Sequence, residues 1–254
     1  MKNELKIAIF IPTYNASRTL PILLDRIPNE IKNNVKEIFI IDDASQDNTY
    51  LIGIGYKELS NMQNLQIYKN KINKGYGGNQ KFAYQYAINK GFDIIVMLHG
   101  DAQYAPEMIP KLLKPFEDEQ DIALVFGSRM KGNPLKGGMP LYKYIGNIIL
   151  TYIENKFLDM NLSEYHSGYR IYNCHALKQI PFNKCSDDFH FDSEILIQLK
   201  IKNLKIRECS IPTYYGKEKS HVNVIAYGIN ILKSLLEYKL HQKGIMKYEK
   251  FNVN

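Results

Sequence analysis

The sequence predicts an α/β fold: a mostly parallel, doubly wound sheet flanked by helices, with a helical appendage at its C-terminal end. Three observations predict it. Strand-like and helical patterns alternate up to about residue 130, as expected where right-handed crossovers join parallel strands. The run Ile94–Leu98 is continuously apolar, as a strand buried on both faces must be. That run stops abruptly at His99-Gly100-Asp101-Ala102-Gln103, polar groups at the strand end where open α/β sheets bind ligands.

The strand-like runs are Ile7–Ile11, Ile38–Ile41, Leu65–Tyr68, Ile94–Leu98 and Ile122–Phe126. Between them Arg18–Ile27, Thr49–Ser60, Gln80–Asn89 and Glu107–Phe116 read as helices, with Ser17 able to cap the first and Pro106 suited to opening the fourth. Beyond Arg129 the alternation breaks. A Gly- and Pro-containing loop leads into a long helix over Leu141–Leu158, and Asn161–Asn173 reads as irregular and polar. A helix near Ser193–Ile201, a strand at Lys205–Ile211 and a last helix over Val222–Leu240 complete the chain. The last helix carries Val224, Ile225, Ile229, Leu232, Leu235 and Leu236 at helical spacing. We place one domain over residues 1–221 and an amphipathic helix with a basic tail over 222–254.

Composition narrows the function. With 254 residues, 45% hydrophobic, the chain can bury one substantial core. No run reaches the roughly 18 apolar residues of a membrane span. The chain enters its first strand without a charged-then-apolar leader, so a secretory signal is not expected. Cys174, Cys185 and Cys209 are far apart and odd in number, which favours a reducing, cytoplasmic setting over a disulfide framework or zinc site. The net charge of +7 suits an anionic partner. Nucleic acid is not expected, because no basic repeat, zinc pattern or RNA-binding aromatic signature accompanies that charge. A phosphorylated substrate or an anionic membrane surface fits better, beside a plainly solvated lysine surface.

Asp101 and Gln103, two apart in an extended segment, can aim both oxygens at one cation, with magnesium or manganese the suitable ions. The other strand ends carry Pro12-Thr13-Tyr14-Asn15 and Asp42-Asp43-Ala44-Ser45-Gln46-Asp47-Asn48-Thr49. These termini should gather along one sheet edge. A carboxylate there can accept hydrogen bonds from a ribose or base, or serve only as turn and capping chemistry.

Taken together with Asn73-Lys74-Gly75-Tyr76-Gly77-Gly78-Asn79, Gly127-Ser128-Arg129 and Ser167-Gly168-Tyr169-Arg170-Ile171-Tyr172, these motifs resemble the family 2 glycosyltransferases of GT-A fold. Within that family the chain is most similar to the dolichol- and polyprenyl-phosphate sugar transferases, from about residue 6 to 225. The resemblance implies that Pro12, Tyr14, Asn15 and Asp43 hold the nucleoside, and that Asn73, Gly75 and Gly78 close a loop over the donor. Asp101 and Gln103 would hold the Mn2+ or Mg2+ that bridges the donor diphosphate. His99 stands where the family's Asp-x-Asp signature has its first aspartate, and can serve as a third ligand or only hydrogen-bond the donor. Arg129 and Lys143 resemble the groups that hold an acceptor phosphate, with Ser167 and Arg170 beside them. Asp192, in a segment of four carboxylates between Asp187 and Glu194, stands where hydroxyl-acceptor enzymes keep a general base. The catalytic set is then Asp101, Arg129 and Asp192. Lys217 and Lys219 occupy the place of a basic loop over the diphosphate, where His221 replaces a lysine.

The resemblance thus implies an inverting hexosyltransferase acting from a nucleoside-diphosphate sugar, uridine being the expected base, onto a polyprenyl phosphate in cell-envelope polysaccharide synthesis. The alternatives are a family 2 enzyme that glycosylates a sugar hydroxyl of a glycan, and an inactive sugar-nucleotide-binding protein, suggested by His99. The expected location is cytoplasmic, with peripheral contact to the cytoplasmic face of the membrane, to a membrane-protein partner or to a second copy in a homo-oligomer left open. The apolar stripe with Lys233, Lys239, Lys243, Lys247 and Lys250 can pack on the domain itself or on a second subunit, or can meet an anionic membrane surface.

Overall fold

The computed structural model describes residues 5–60, 62–119, 121–215 and 223–253. Its elements run β1 (Ile7–Thr13), α1 (Leu20–Arg26), α2 (Asn29–Asn34), β2 (Glu37–Asp42), α3 (Thr49–Ser60), β3 (Leu65–Lys69), α4 (Gly75–Lys90), β4 (Ile94–Met97), α5 (Ile109–Asp118) and β5 (Ile122–Ser128). There follow α6 (Leu141–Leu158), β6 (Arg170–Asn173), α7 (Cys174–Leu177), α8 (Phe191–Ile201), β7 (Lys205–Ser210) and α9 (Val224–Gln242).

The strands form one sheet in the order β3-β2-β1-β4-β6-β5-β7. Every pairing is parallel except those of β6, which runs antiparallel between β4 and β5. The carboxyl ends of β1, β2, β4 and β5 therefore share one edge, and the chain entering β6 arrives at that same edge. Side chains alternate across the strands. Phe10, Phe39 and Met97 pack with Ala83, Leu196 and Leu235 of α4, α8 and α9 on one face. Ile9, Ile38 and Val96 pack with Leu23 and Leu112 of α1 and α5 on the other.

Four local expectations are corrected. The stretch read as irregular contains β6, whose four residues carry only one aliphatic side chain, Ile171, and so leave no apolar run. The short α2 and α7 have no periodicity long enough to read. Helix α1 begins at Leu20, not at Arg18, and Ser17 does not cap it: the Ser17 amide donates to Asp47 (3.1 Å), while the Thr19 hydroxyl donates to the Gly100 carbonyl (2.7 Å). Helix α4 begins at Gly75, five residues earlier than its apolar spacing suggests, because the Asp187 carbonyl accepts from the Gly77 and Gly78 amides (2.7 and 3.3 Å). Those are among the first-turn donors that a helix cannot satisfy itself.

Helix α9 starts at an Asn223 cap, whose side chain accepts from the Ile225 and Ala226 amides; Val222 lies outside the described residues. Its Ile231, Leu235 and Tyr238 are buried in the main core, whereas Val224, Ile225, Ile229, Leu232 and Leu236 are exposed.

Candidate active site

The carboxyl-edge loops are stitched to one another before any ligand is considered. The Gly100 amide donates to the Pro12 carbonyl (3.1 Å), and the Asp43 amide to that of Thr13 (2.9 Å). Asn15, Ala44 and Ala102, one after each of β1, β2 and β4, adopt positive φ (52°, 59° and 58°). Left-handed backbone at non-glycine residues costs energy and clusters at binding sites. Asn15 binds its neighbour loop twice, its amide donating to Ser45 and its side-chain oxygen accepting from the Gln46 amide, each at 2.9 Å. Asp42 is wholly buried and accepts from Ser45. Asp43 accepts from the Asn70 side chain (2.7 Å) and the Lys74 amide (2.9 Å), and its carbonyl accepts from Asn73 (3.0 Å). The residues expected to hold a nucleoside, Pro12, Tyr14, Asn15 and Asp43, are thus brought together with Asn73 at one corner of the edge.

Gly75 and Gly77 have a structural reason to lack a side chain. At Gly75, with φ of +77°, a β-carbon would lie 2.6 Å from the Asp187 carbonyl oxygen, and Gly77 is crowded by Ser186 and Phe191 as well. These glycines let the first turn of α4 close on residues 186–187.

The centre of the edge holds a polar cluster. Tyr76 donates to Asp192 (2.8 Å) and stacks on Phe189 (5.0 Å between centroids). His99 sits between the Tyr76 and Tyr104 rings, its Nε2 3.4 Å from the Tyr76 hydroxyl. A β-carbon on Gly168, two residues before β6, would fall 2.5 Å from that nitrogen and would displace the imidazole. Burial lowers the His99 pKa against the pull of Asp101 and Asp192, which favours neutral imidazole. Asp192, 4% exposed, also takes Gln80 (3.4 Å) and lies 3.7 Å from the Arg170 guanidinium. Arg170 itself is fully buried, donating to the carbonyls of Ser167, Asp192 and Tyr165. Arg170 and Ser167, expected beside an acceptor, are therefore interior groups.

Asp101 is half-buried and accepts from the Gln103 amide (3.0 Å) across the strained Ala102 turn. Among the described residues no three acidic, histidine or cysteine side chains form a closed metal cage. One carboxylate, one amide and a nearby imidazole nevertheless suit magnesium or manganese, which commonly binds through one or two carboxylates and completes its shell with water and substrate phosphates.

Gln103, Tyr104 and Arg129 line a narrow cleft of about 10 Å³ with Pro212, Thr213, Tyr214 and Tyr215. Arg129 grips the fully buried Glu164 through Nε (2.9 Å), Nη2 and its own amide (2.8 Å), and reaches the His166 carbonyl and the Tyr215 hydroxyl, both at 3.1 Å. Burial opposes the charge on both partners, yet each holds the other ionised. The Lys143 ammonium lies over the Tyr215 ring (5.3 Å), and burial together with Arg129 lowers its pKa. One cation, Arg129, thus lines the cleft, and a second, Lys143, stands beside it across the Tyr215 ring. Lys217, Lys219 and His221 lie outside the described residues. A larger cavity of about 600 Å³ opens at the opposite edge, where the chain enters β2 and β3.

Tyr76, Gln80, Tyr104, Glu164 and Tyr215 are site residues that sequence reasoning did not single out. Tyr76 sat inside a motif noticed for its glycines. Glu164 gave no signal, because its partner lies 35 residues away.

Behind Arg129, Glu154 of α6 is fully buried 3.3 Å from His166 Nε2, while His166 Nδ1 meets the Tyr227 hydroxyl (3.1 Å). Burial pushes the Glu154 carboxyl up to about 8 and His166 down to about 4. The folded state thus keeps a carboxyl proton that the unfolded chain releases above its ordinary value of 4.5. Glu154 therefore costs stability progressively as pH rises through that window. Glu154→Gln is expected to shift the melting temperature, relative to the parent, in its favour by several degrees between about pH 5 and about pH 9. An unchanged difference across that range would show that Glu154 ionises normally.

The glycosyl transferase family 2 model matches residues 8–181. A UDP-N-acetylglucosamine–dolichyl-phosphate N-acetylglucosaminyltransferase of Methanococcus voltae is 30% identical over 248 residues, covering 92% of this chain and 96% of that enzyme. A dolichol-phosphate mannosyltransferase of Pyrococcus furiosus is 26% identical over 96% of this chain and 65% of its own length. Among solved structures, glucosyl-3-phosphoglycerate synthase of Mycobacterium tuberculosis, in complex with Mg2+ and uridine diphosphate, superposes with a TM-score of 0.71 at 16% identity, over 93% of this chain and 80% of that one. The fold is shared with that enzyme.

Proposed function

The chain belongs to glycosyl transferase family 2, and from that premise we propose that it transfers a hexose unit from a uridine-diphosphate sugar to a polyprenyl phosphate, with inversion at the anomeric carbon. The observation that carries the acceptor class is the pair of cations Arg129, on the cleft that Gln103 and Tyr104 also line, and Lys143, next to it over the Tyr215 ring. A guanidinium suits a phosphate through paired hydrogen bonds, and a lysine adds a point charge. The relatives from Methanococcus and Pyrococcus carry dolichyl phosphate in their names, which supports the same acceptor.

In this reading Pro12, Tyr14, Asn15 and Asp43 hold the nucleoside, with Asn73, Gly75 and Gly78 shaping the adjoining loop. Asp101 and Gln103, with His99 close by, hold the divalent cation. Bound there, such an ion offsets the negative charge of the departing diphosphate. The acceptor phosphate oxygen attacks the anomeric carbon from the face opposite the diphosphate. A new carbon–oxygen bond forms as the bond to the diphosphate breaks, and uridine diphosphate departs. A phosphate acceptor is already anionic at neutral pH, so no base has to remove a proton. That agrees with Asp192, whose carboxylate is committed to Tyr76, Gln80 and Arg170; its role is to position Tyr76 beside His99. The test is release of uridine diphosphate from the donor that depends on added polyprenyl phosphate and not on added free glycan.

No helix among the described residues is long and apolar enough to cross a membrane; in this reading a lipid-embedded acceptor is met at the bilayer surface. Helices α6 and α9 pack together and leave Ile145, Ile149 and Tyr152 of the first and Ile225, Ile229 and Leu236 of the second exposed. Lys143, Lys156 and Lys233 lie on these same two helices, and each lysine near an anionic surface contributes at most about 1 kcal/mol. This combined face, wider than the C-terminal stripe alone, is the proposed contact with an anionic bilayer. The chain is expected to pellet with anionic vesicles at low salt and to release at high salt. Ile149→Glu with Ile229→Glu should abolish pelleting; a double variant that pellets as before would remove this face from the account.

A further inference from the structure

The tail that follows α9 is built into the body of the protein. Phe251 is 1% exposed against the Tyr238 ring, and Gln198 of α8 donates to the Lys250 carbonyl (2.6 Å). Lys250, expected among the surface lysines, instead places its ammonium between Glu194 (2.5 Å) and Glu237 (2.6 Å). Burial works against that charge, but the two carboxylates raise the Lys250 pKa overall.

Glu194 is the link to the site. It is fully buried in the first turn of α8, two residues after Asp192, and accepts from the Ser186 amide (2.6 Å) and the Ser234 hydroxyl (2.8 Å) as well as from Lys250. The next residue, Asp187, gives its carbonyl to the Gly77 and Gly78 amides. That contact sets the turn carrying Tyr76, which donates to Asp192. A buried carboxylate stripped of its cation must take up a proton or move toward water. Either change would loosen the hold on Ser186, and with it the closure of α4 on residues 186–187.

We infer that residues 249–253 are a working part of the transferase site, with Lys250 as a positioning residue that acts through Glu194 on the Tyr76–Asp192 pair. The inference rests on the transferase reading for its kinetic consequence but not for its structural one. The test compares Lys250→Met, Lys250→Arg, Lys250→Met with Glu194→Gln, and Lys178→Met as a surface control. Amide hydrogen exchange over residues 75–82 needs no substrate. It should accelerate about tenfold or more in Lys250→Met, because the protecting Asp187 carbonyl loses its anchor. In the same variant kcat should fall about tenfold or more while the acceptor KM stays within about twofold, since Arg129 is not part of this chain of contacts. Lys250→Arg should behave as the parent. The double variant should recover both readouts, because a neutral amide still accepts from Ser186 and needs no counter-charge. If Lys250→Met proves too unstable to purify, the double variant decides alone: recovery of parent exchange and kcat supports the inference, and a folded but slow double variant overturns it. A Lys250→Met protein that melts earlier yet keeps parent exchange over residues 75–82 and parent kcat also overturns it. If the exchange responds as expected and even the parent transfers no sugar, the transferase reading fails and the contact chain stands.

Discussion

Asp101→Asn is expected to lower turnover about a thousandfold, the loss of roughly 4 kcal/mol of transition-state stabilisation, while leaving the fold intact. The geometry separates the two effects. Asp101 is half-buried in a surface turn and accepts from the Gln103 amide, which an asparagine oxygen can also do. What asparagine cannot supply is the negative charge a divalent cation needs. The melting temperature should therefore stay close to that of the parent, and excess chelator should reproduce the kinetic loss in the parent. His99→Ala should be milder, because neutral imidazole contributes no charge and Nε2 already faces the Tyr76 hydroxyl. An active Asp101→Asn enzyme, or full activity in chelator, would remove the metal role; a His99→Ala loss as deep as that of Asp101→Asn would make His99 a ligand of equal weight.

Arg129→Ala should cost both stability and acceptor affinity, and a second substitution separates them. Glu164 is fully buried, and Arg129 is its cationic partner. Removing one member of a buried pair leaves an uncompensated charge and typically costs about 3–5 kcal/mol. Asn147, which also donates to Glu164 (2.9 Å), relieves only part of this. Combining Arg129→Ala with Glu164→Gln should restore most of the stability. The acceptor KM should nevertheless remain raised about tenfold to a hundredfold, since a hydrogen bond to a charged group contributes about 1.5–3 kcal/mol. Thermal unfolding and acceptor titration on the double variant give the two answers independently. A double variant with parent acceptor KM would reduce Arg129 to a structural ion pair.

The parts of this fold that were legible in the sequence are those in which burial imposes an apolar run. Strands β1, β2, β4 and β5 are buried almost throughout, and the polar motifs at their ends stood out by contrast. Strand β6 was not legible, because Arg170 and Asn173 are half of it and the Arg170 charge is satisfied by the Ser167 and Tyr165 carbonyls of the irregular segment just before it, which no periodicity announces. The site divides in the same way. Asp101 and Arg129 follow buried strands and could be found; Glu164, which fixes Arg129, lies in a loop with no periodicity. Gly75 was expected in a loop over the donor, and only the fold shows that it also lies against the Asp187 carbonyl. Lys250 reads as a surface charge because one of its carboxylate partners is 56 residues away.

Transfer of one sugar to a phosphate oxygen can be read from phosphorus NMR of the products. With a uridine-diphosphate sugar, a divalent cation and polyprenyl phosphate in anionic vesicles, the account predicts uridine diphosphate and an equal amount of a new sugar–phosphate–lipid phosphodiester with inverted anomeric configuration. Release of uridine monophosphate, or formation of uridine diphosphate only when a glycan hydroxyl is supplied, would contradict it.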